Sequence, residues 1–256
     1  MKRYFINAFP PGKAPGFTAV FTSRQKGVSK GAYKSLNLGT QTGDSKKNVR
    51  ENLQILKKNL KAPGLITLNQ VHGVRVVSAL RSGVKADGAV TNVPGRAVAV
   101  KTADCAGIII YDEKNRAFAV VHAGWRGMAG FIAHEAVEVM KKKYGSVPSC
   151  LRASVSPAIG VCCYEVGEEL YNSLKRTPEF SNIFIRRGAK IFMDLKKGVK
   201  NTLASSGIKK SRIYVSRLCT SCEEELFFSH RRDKGVTGRC ASAAVINKAE
   251  KCTKKR

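Results

Sequence analysis

Two histidines and a cysteine are the residues whose type and local pattern best suit them to chemistry. His122 ends the apolar run Ala119-Val-Val and is followed by Ala123-Gly-Trp-Arg-Gly127, where two glycines bracket the only tryptophan and an arginine. His72 closes Asn69-Gln-Val and stands directly before Gly73. Cys105 closes the run 97–105, behind Thr102-Ala-Asp. A strand that ends on such a side chain and turns through glycine fixes the side chain and lets the backbone bend close to whatever it holds. Two imidazoles and a thiolate suit zinc, which binds nitrogen and sulfur tetrahedrally and keeps one of four positions open in catalytic sites. A water there has its pKa lowered toward neutrality, and the cation keeps Cys105 as thiolate. Taken singly, a histidine before a glycine is more often a turn residue than a ligand. Cys105 and His122 alone also compose the nucleophile and base of a metal-free cysteine hydrolase.

The remaining cysteines and histidines carry weaker signals. Cys219-Thr-Ser-Cys222 is a Cys-x-x-Cys with no second pair at zinc-ribbon spacing, and reads as two buried or loop thiols ahead of a redox or structural-metal role. The vicinal pair Cys162-Cys163 reads as packing on a turn, and Cys150, Cys240 and Cys252 have no visible partners. His134 sits inside a helical pattern. His230 lies in a polar loop with Arg231, Arg232 and Asp233, within reach of a site in one reading.

The elements that must position these residues are mixed. A helix starts at Asp44 or Ser45 and carries Val49, Leu53, Leu56 and Leu60 at helical spacing. Strands are expected at 65–71, 75–80, 88–91, 97–101, 107–111 and 116–122, and their short spacing favours antiparallel hairpins. Helices follow at 128–144, 168–175 and 194–206, with strands at 151–155, 213–215 and 241–246 and a hairpin within 183–191. Long loops span 24–38 and 218–239. Strands and helices do not alternate strictly, so the expected class is α+β, a mixed sheet arrangement with flanking helices rather than a doubly wound sheet.

The 256 residues, 43% hydrophobic and 25% charged, suit a globular chain with a substantial core. One domain over 1–256 is expected, with a short basic tail from about 248. Apolar runs are too short to span a bilayer. Asn7 and Pro10-Pro11 interrupt the N-terminal apolar patch, so it does not read as a secretory signal, and a cytoplasmic protein with reduced or metal-bound thiols is expected. The charge is extreme: 46 Lys+Arg against 18 Asp+Glu, a net of +28. The lysines are scattered and no nucleic-acid motif accompanies them, so incidental basicity ranks ahead of a nucleic-acid partner. A phosphate-bearing substrate would also benefit from the field.

Asn69-Gln-Val-His-Gly73, Ala86-Asp-Gly-Ala-Val-Thr91, Thr102-Ala-Asp-Cys105, Val120-Val-His-Ala-Gly-Trp-Arg-Gly127, Cys163-Tyr-Glu-Val166, Leu226-Phe-Phe-Ser-His-Arg-Arg-Asp233 and Thr237-Gly-Arg239 together resemble the YfiH-like, or laccase-domain, family. The likeness covers most of the chain, from Phe21 to Ile246. It implies a single mixed α/β sandwich and a zinc site of His72, Cys105 and His122. It further implies phosphorolysis of adenosine, inosine and methylthioadenosine, and adenosine deamination. Older naming implies copper-dependent phenol oxidation, and some relatives imply peptidoglycan editing. Copper suits a His-His-Cys set as a passenger, but four histidines are too few for a multicopper cluster. The H-x-E and P-C-x-x-C pattern of zinc nucleobase deaminases is absent. Phosphorolysis needs a phosphate cradle, for which Arg126 and the loop around Asn37 and Gly39 are candidates; Arg126 reads equally as a structural ion-pair partner. The chain departs from the family pattern at Leu53, usually arginine, at His230, usually tyrosine, and at Ala106, usually proline.

Overall fold

The computed structural model describes residues 4–14 and 16–247. The expected basic tail from about 248, with Cys252, lies outside the described residues. In chain order the elements are β1 (Phe5–Asn7), β2 (Phe17–Thr22), α1 (Lys46–Asn59), β3 (Gly64–Thr67), β4 (Val76–Ser78), β5 (Gly88–Thr91), β6 (Arg96–Thr102), β7 (Ala106–Asp112) and β8 (Ala117–Ala123). Then come α2 (Trp125–Ala129), α3 (Ile132–Tyr144), β9 (Arg152–Val155), β10 (Glu165–Val166), α4 (Glu168–Leu174), β11 (Phe184–Arg187), β12 (Lys190–Met193), α5 (Leu195–Ser205), β13 (Ile213–Val215) and β14 (Cys240–Ile246).

Two large sheets lie face to face. One has the order β1-β2-β14-β6-β3, the other β13-β9-β7-β8-β5-β4, and a small third sheet is β10-β12-β11. Side chains alternate across a strand, and β7 shows it. Ile109 and Tyr111 enter the layer between the sheets with Phe17, Phe118 and Val120. Ile108 and Ile110 enter the opposite layer with Val137 and Met140 of α3 and Val199 and Leu203 of α5. On the far face of the first sheet, Leu56 of α1 and Leu60 pack on Ala97, Ala99 and Ala243. Each large sheet is therefore covered on both faces, which is why β7, β8 and β14 are buried along their whole lengths and read as near-continuous apolar runs. The α+β class expected from the sequence is the one observed.

Three local expectations change. The expected strand 65–71 stops at Thr67: beyond it the Gln70 side chain, not the backbone, pairs with the Lys101 N–H and carbonyl, and the chain turns at His72, whose φ is 58°. The expected helix 128–144 begins earlier, at Trp125, and breaks at Phe131, whose φ is 59°. Pairing is not all antiparallel: β3 runs parallel to β6, β4 to β5 and β13 to β9. The most consequential connection joins β6 to β7. It is three residues long, yet the two strands belong to different sheets. Residues 103–105 thus cross from one sheet to the other, and Cys105 sits on that crossing.

Candidate active site

His122 lies on β8, 3% exposed. Its Nδ1 is 2.8 Å from Asp87 Oδ1, and Asp87 is fully buried directly before β5. The same carboxylate accepts from the backbone N–H groups of Val71, His72 and Gly73 at 3.2, 2.9 and 2.8 Å. One buried acid therefore orients the His122 ring and pins the turn that carries His72. Burial alone would raise the Asp87 pKa, but the His122 ring and the Gly73 and Val71 N–H groups hold it below the usual carboxylate value. An ionised Asp87 accepts a hydrogen bond from Nδ1–H, so the free lone pair of neutral His122 is on Nε2. Carboxylate–imidazole pairs of this kind fix the tautomer of metal-ligating histidines.

The three residues singled out by pattern converge. The ligand atoms of His72, Cys105 and His122 all lie within 4.8 Å of one another. The two imidazoles meet edge to face, with ring centroids 4.8 Å apart. Gly124 makes room for them: a Cβ there would stand 3.0 Å from Cys105 Sγ and 3.5 Å from His72 Cδ2. Burial pushes the Cys105 thiol up, but the bonds from His122 and His72 outweigh it and bring the pKa down to about 6. Burial likewise pushes His122 down, and Asp87 and Cys105 outweigh it, raising the ring to about 9. At neutral pH both shifts favour a thiolate beside an imidazolium. A thiolate is also the form that binds metal.

Cys105 is held from behind through its neighbour. Asp104 has a left-handed φ of 82°, and its carboxylate accepts from the Thr220 hydroxyl at 2.6 Å, the Ser229 hydroxyl at 3.0 Å and the Arg231 N–H at 2.7 Å. Backbone conformations of this cost persist where surrounding bonds over-determine them.

All three convergent residues line a pocket of about 500 Å³, within the span of about 300–1,000 Å³ typical of small-molecule sites. Lys101, Arg126, Arg231 and Arg239 line the same cavity, with Trp125 and Tyr164 as its aromatic members. Gly39, Arg126 and His230, chosen from the sequence as substrate contacts, are among the lining residues. Arg126 is exposed and lies over the Trp125 ring at 4.5 Å; among the described residues it has no ion-pair partner. Asn37 stands behind the wall. It is fully buried, its Oδ1 accepts from the Gly39 and Arg239 N–H groups at 2.9 Å, and its Nδ2 donates to Thr42 and Asp44. Leu53 packs against the layer under α1 and does not line the pocket. His134 is elsewhere, against Ser205 and the Phe131 ring.

Pattern reading assigned no role to Asp87, Asp104, Lys101, Tyr164 and Arg239. All but Lys101 stand inside the recurring motifs quoted above, so position was the available signal. Lys101 is half-buried on β6 and donates to the Thr40 hydroxyl at 3.2 Å; burial and then Arg239 lower its pKa.

A family described as multi-copper polyphenol oxidoreductase laccase matches residues 18–247. The chain belongs to this YfiH-like family. It is 36% identical over 257 residues to the purine nucleoside phosphorylase YlmD of Geobacillus stearothermophilus, covering 93% of this chain and 92% of that protein. It is 34% identical over 251 residues to the purine nucleoside phosphorylase YfiH of Escherichia coli, covering 94% and 98%. The crystal structure of Geobacillus stearothermophilus YlmD superposes with a TM-score of 0.90 at 33% identity, covering 97% of this chain and 98% of that one. A Bacillus licheniformis protein YfiH does so at 0.85 and 33%, covering 90% and 93%.

The YfiH-like site offers two nitrogens and one sulfur facing a cavity, a donor set that fits one tetrahedral ion with a position left for substrate or water. It does not fit the multi-copper chemistry in the family description. Of four histidines, two meet at Cys105, His230 is on the pocket wall, and His134 of α3 bonds to Ser205 of α5 and does not line the pocket.

Proposed function

We propose that this chain is a zinc-dependent purine nucleoside phosphorylase, with His72, Cys105 and His122 as the metal ligands. The observation that carries the reading is the conjunction of that ligand set with Lys101, Arg126, Arg231 and Arg239 around one cavity. Two relatives similar over nearly their whole length are named purine nucleoside phosphorylases. In phosphorolysis a phosphate oxygen bonds to the nucleoside C1′ as the bond from C1′ to the base breaks, and the base leaves with that electron pair. The four cations neutralise and align the phosphate, with Arg groups suited to paired oxygens. The departing base needs a proton or a polarising partner. Tyr164, pushed up to about 12 by burial and by the Cys105 thiolate, keeps its proton at neutral pH and is one donor; His230 is the other. Held by His72, Cys105 and His122, zinc would supply Lewis-acid polarisation beside these groups.

Adenosine, inosine and methylthioadenosine are the expected substrates, and adenosine deamination is an expected second reaction of the same pocket. Copper in the same three ligands would be a passenger. We take the whole chain as one domain, supported by the apolar layer shared by the two large sheets. We place it in the cytoplasm, supported by the seven free thiols among the described residues; no described helix is long and apolar enough to cross a membrane. The second reading is a cysteine hydrolase, favoured by the contact between Cys105 and His122. Adenosine turnover with and without phosphate, before and after chelation, separates them. Phosphorolysis gives adenine and ribose 1-phosphate only when phosphate and metal are both present. Full turnover by metal-free protein, or adenine release indifferent to phosphate, overturns it.

A further inference from the structure

Four more cysteines meet outside the pocket. On sequence the vicinal pair and the Cys-x-x-Cys read as separate packing thiols. The parallel bridge between Ala158 and Cys219 brings their loops together, and Cys162 and Cys222 are exposed rather than packed away. The Sγ atoms of Cys162, Cys163, Cys219 and Cys222 all lie within 4.8 Å of one another. Cys222 Sγ is 3.5 Å from that of Cys162 and 3.4 Å from that of Cys163. Four sulfurs around one zinc at about 2.3 Å stand about 3.8 Å apart. An iron–sulfur cluster spreads its cysteines around several irons, and this group is compact enough for a single ion.

The backbone around the group favours a thiolate at Cys219: against the cost of burial, the Gly160 N–H lowers its pKa. The Gly160 N–H donates to Cys219 Sγ at 3.1 Å. A Cβ on Gly160 would stand 3.0 Å from Cys162 Sγ and 3.3 Å from Cys219 Sγ, so a side chain there would press on the sulfurs. Zinc with four thiolates carries a net charge of −2, and two cations hold the backbone of the same turn. Lys196, 8% exposed, donates to the Leu218 carbonyl at 2.7 Å. Arg232 donates to the Thr220 and Ser221 carbonyls at 3.0 and 3.3 Å. Arg232 also pairs with Asp233, but among the described residues Lys196 has no ion-pair partner. A buried ammonium is costly; the Asp194 carboxylate offsets part of that cost at Lys196, and a dianionic centre beside it offsets more.

We propose that Cys162, Cys163, Cys219 and Cys222 hold a structural zinc ion, separate from the pocket ligands. Binding displaces the thiol protons to solvent and changes no oxidation state. The ion clips the 160–164 turn to the 218–233 loop. Those segments carry Tyr164 and Arg231 to the pocket and Thr220 to Asp104, so the clip fixes one pocket wall.

Native mass spectrometry with elemental analysis of the full chain tests this. The unmodified protein is expected to hold two zinc ions, and a Cys162→Ser, Cys222→Ser variant one. A His72→Ala, His122→Ala variant is also expected to hold one, and after cobalt exchange to show the intense sulfur-to-metal absorption of a four-thiolate site. That cobalt spectrum decides the matter even where the cysteine variant does not fold, and the ion count does not depend on nucleoside turnover. No zinc in the histidine variant, iron in place of zinc, or a disulfide among these four residues would each overturn the proposal; one zinc in the unmodified chain that the histidine variant keeps supports it and counts against the pocket metal instead.

Discussion

Asp87 serves both imidazoles at once, through the His122 ring and through the backbone of the turn bearing His72. Outer-shell carboxylates of this kind typically change metal affinity by about 10–100-fold. Asp87→Asn is therefore expected to weaken zinc at the pocket site by about that factor in chelator competition, and unchanged affinity would contradict the role given to it. Lys101 makes the opposite trade. Burial and Arg239 lower its pKa, so between the lowered and the ordinary lysine value the unfolded chain binds more protons at this site than the folded one, and stability rises with pH there. At neutral pH the charged ammonium costs stability. Lys101→Met is expected to raise Tm by about 1–3 °C, with the gain shrinking as pH rises through the lowered pKa. Its KM for phosphate should rise about tenfold while KM for the nucleoside stays near its original value; a lower Tm with both KM values unchanged would refute this. His72, Cys105 and His122 were legible because each carries a local mark, an apolar run before it or a glycine near it. Lys101 follows the apolar run 97–100 and Arg239 follows Gly238, but in a chain with 46 Lys+Arg such marks do not separate them from surface charges; what makes them functional is the cavity that distant strands create.

At the scale of elements, the site depends on loops tied to regular structure by buried polar side chains. Asn52 of α1 is fully buried, accepts from Val28 N–H, and donates to the Ser29 hydroxyl and the Asn37 carbonyl at 2.9 Å. It tethers the loop that delivers Gly39 and Thr40 to the pocket. Asn52→Ala is expected to cost roughly 2–4 kcal/mol, because several buried partners are left unpaired at once. Urea unfolding measures that cost, and KM should rise more than kcat falls; a loss under about 0.5 kcal/mol, the size of an ordinary surface change, would contradict the tether. The helix itself was legible from Val49, Leu56 and Leu60, but periodicity does not say that a polar Asn52 faces inward. The β7–β8 hairpin was legible from its turn at 112–115. The crossing at 103–105 was not, because a three-residue connection reads as a hairpin, and only the partners of β6 and β7 reveal two sheets.

For the whole molecule, the two large sheets share one apolar layer, and we propose that this layer makes the fold cooperative. The Phe17 and Tyr111 rings stack at 4.1 Å across it. Phe17→Ala is expected to cost about 3–5 kcal/mol and to shift one calorimetric transition rather than split it; two separated transitions would show that the sheets unfold independently. The net charge of +28 sets a field that favours anions. KM for phosphate should therefore rise steeply with sodium chloride while KM for the neutral nucleoside changes little, and equal salt sensitivity would remove the field from the account. The α+β class was legible from the non-alternating order of elements. Sheet order was not, since parallel pairs such as β3 with β6 join strands far apart in the chain.

Anomalous diffraction at the zinc absorption edge, from crystals of the purified protein, shows whether His72, Cys105 and His122 share one cation. A peak is expected between the three side chains, about 2.0–2.3 Å from their nitrogen and sulfur atoms. Crystals that show no peak there after growth with zinc, while the three side chains keep their positions, would contradict the shared cation.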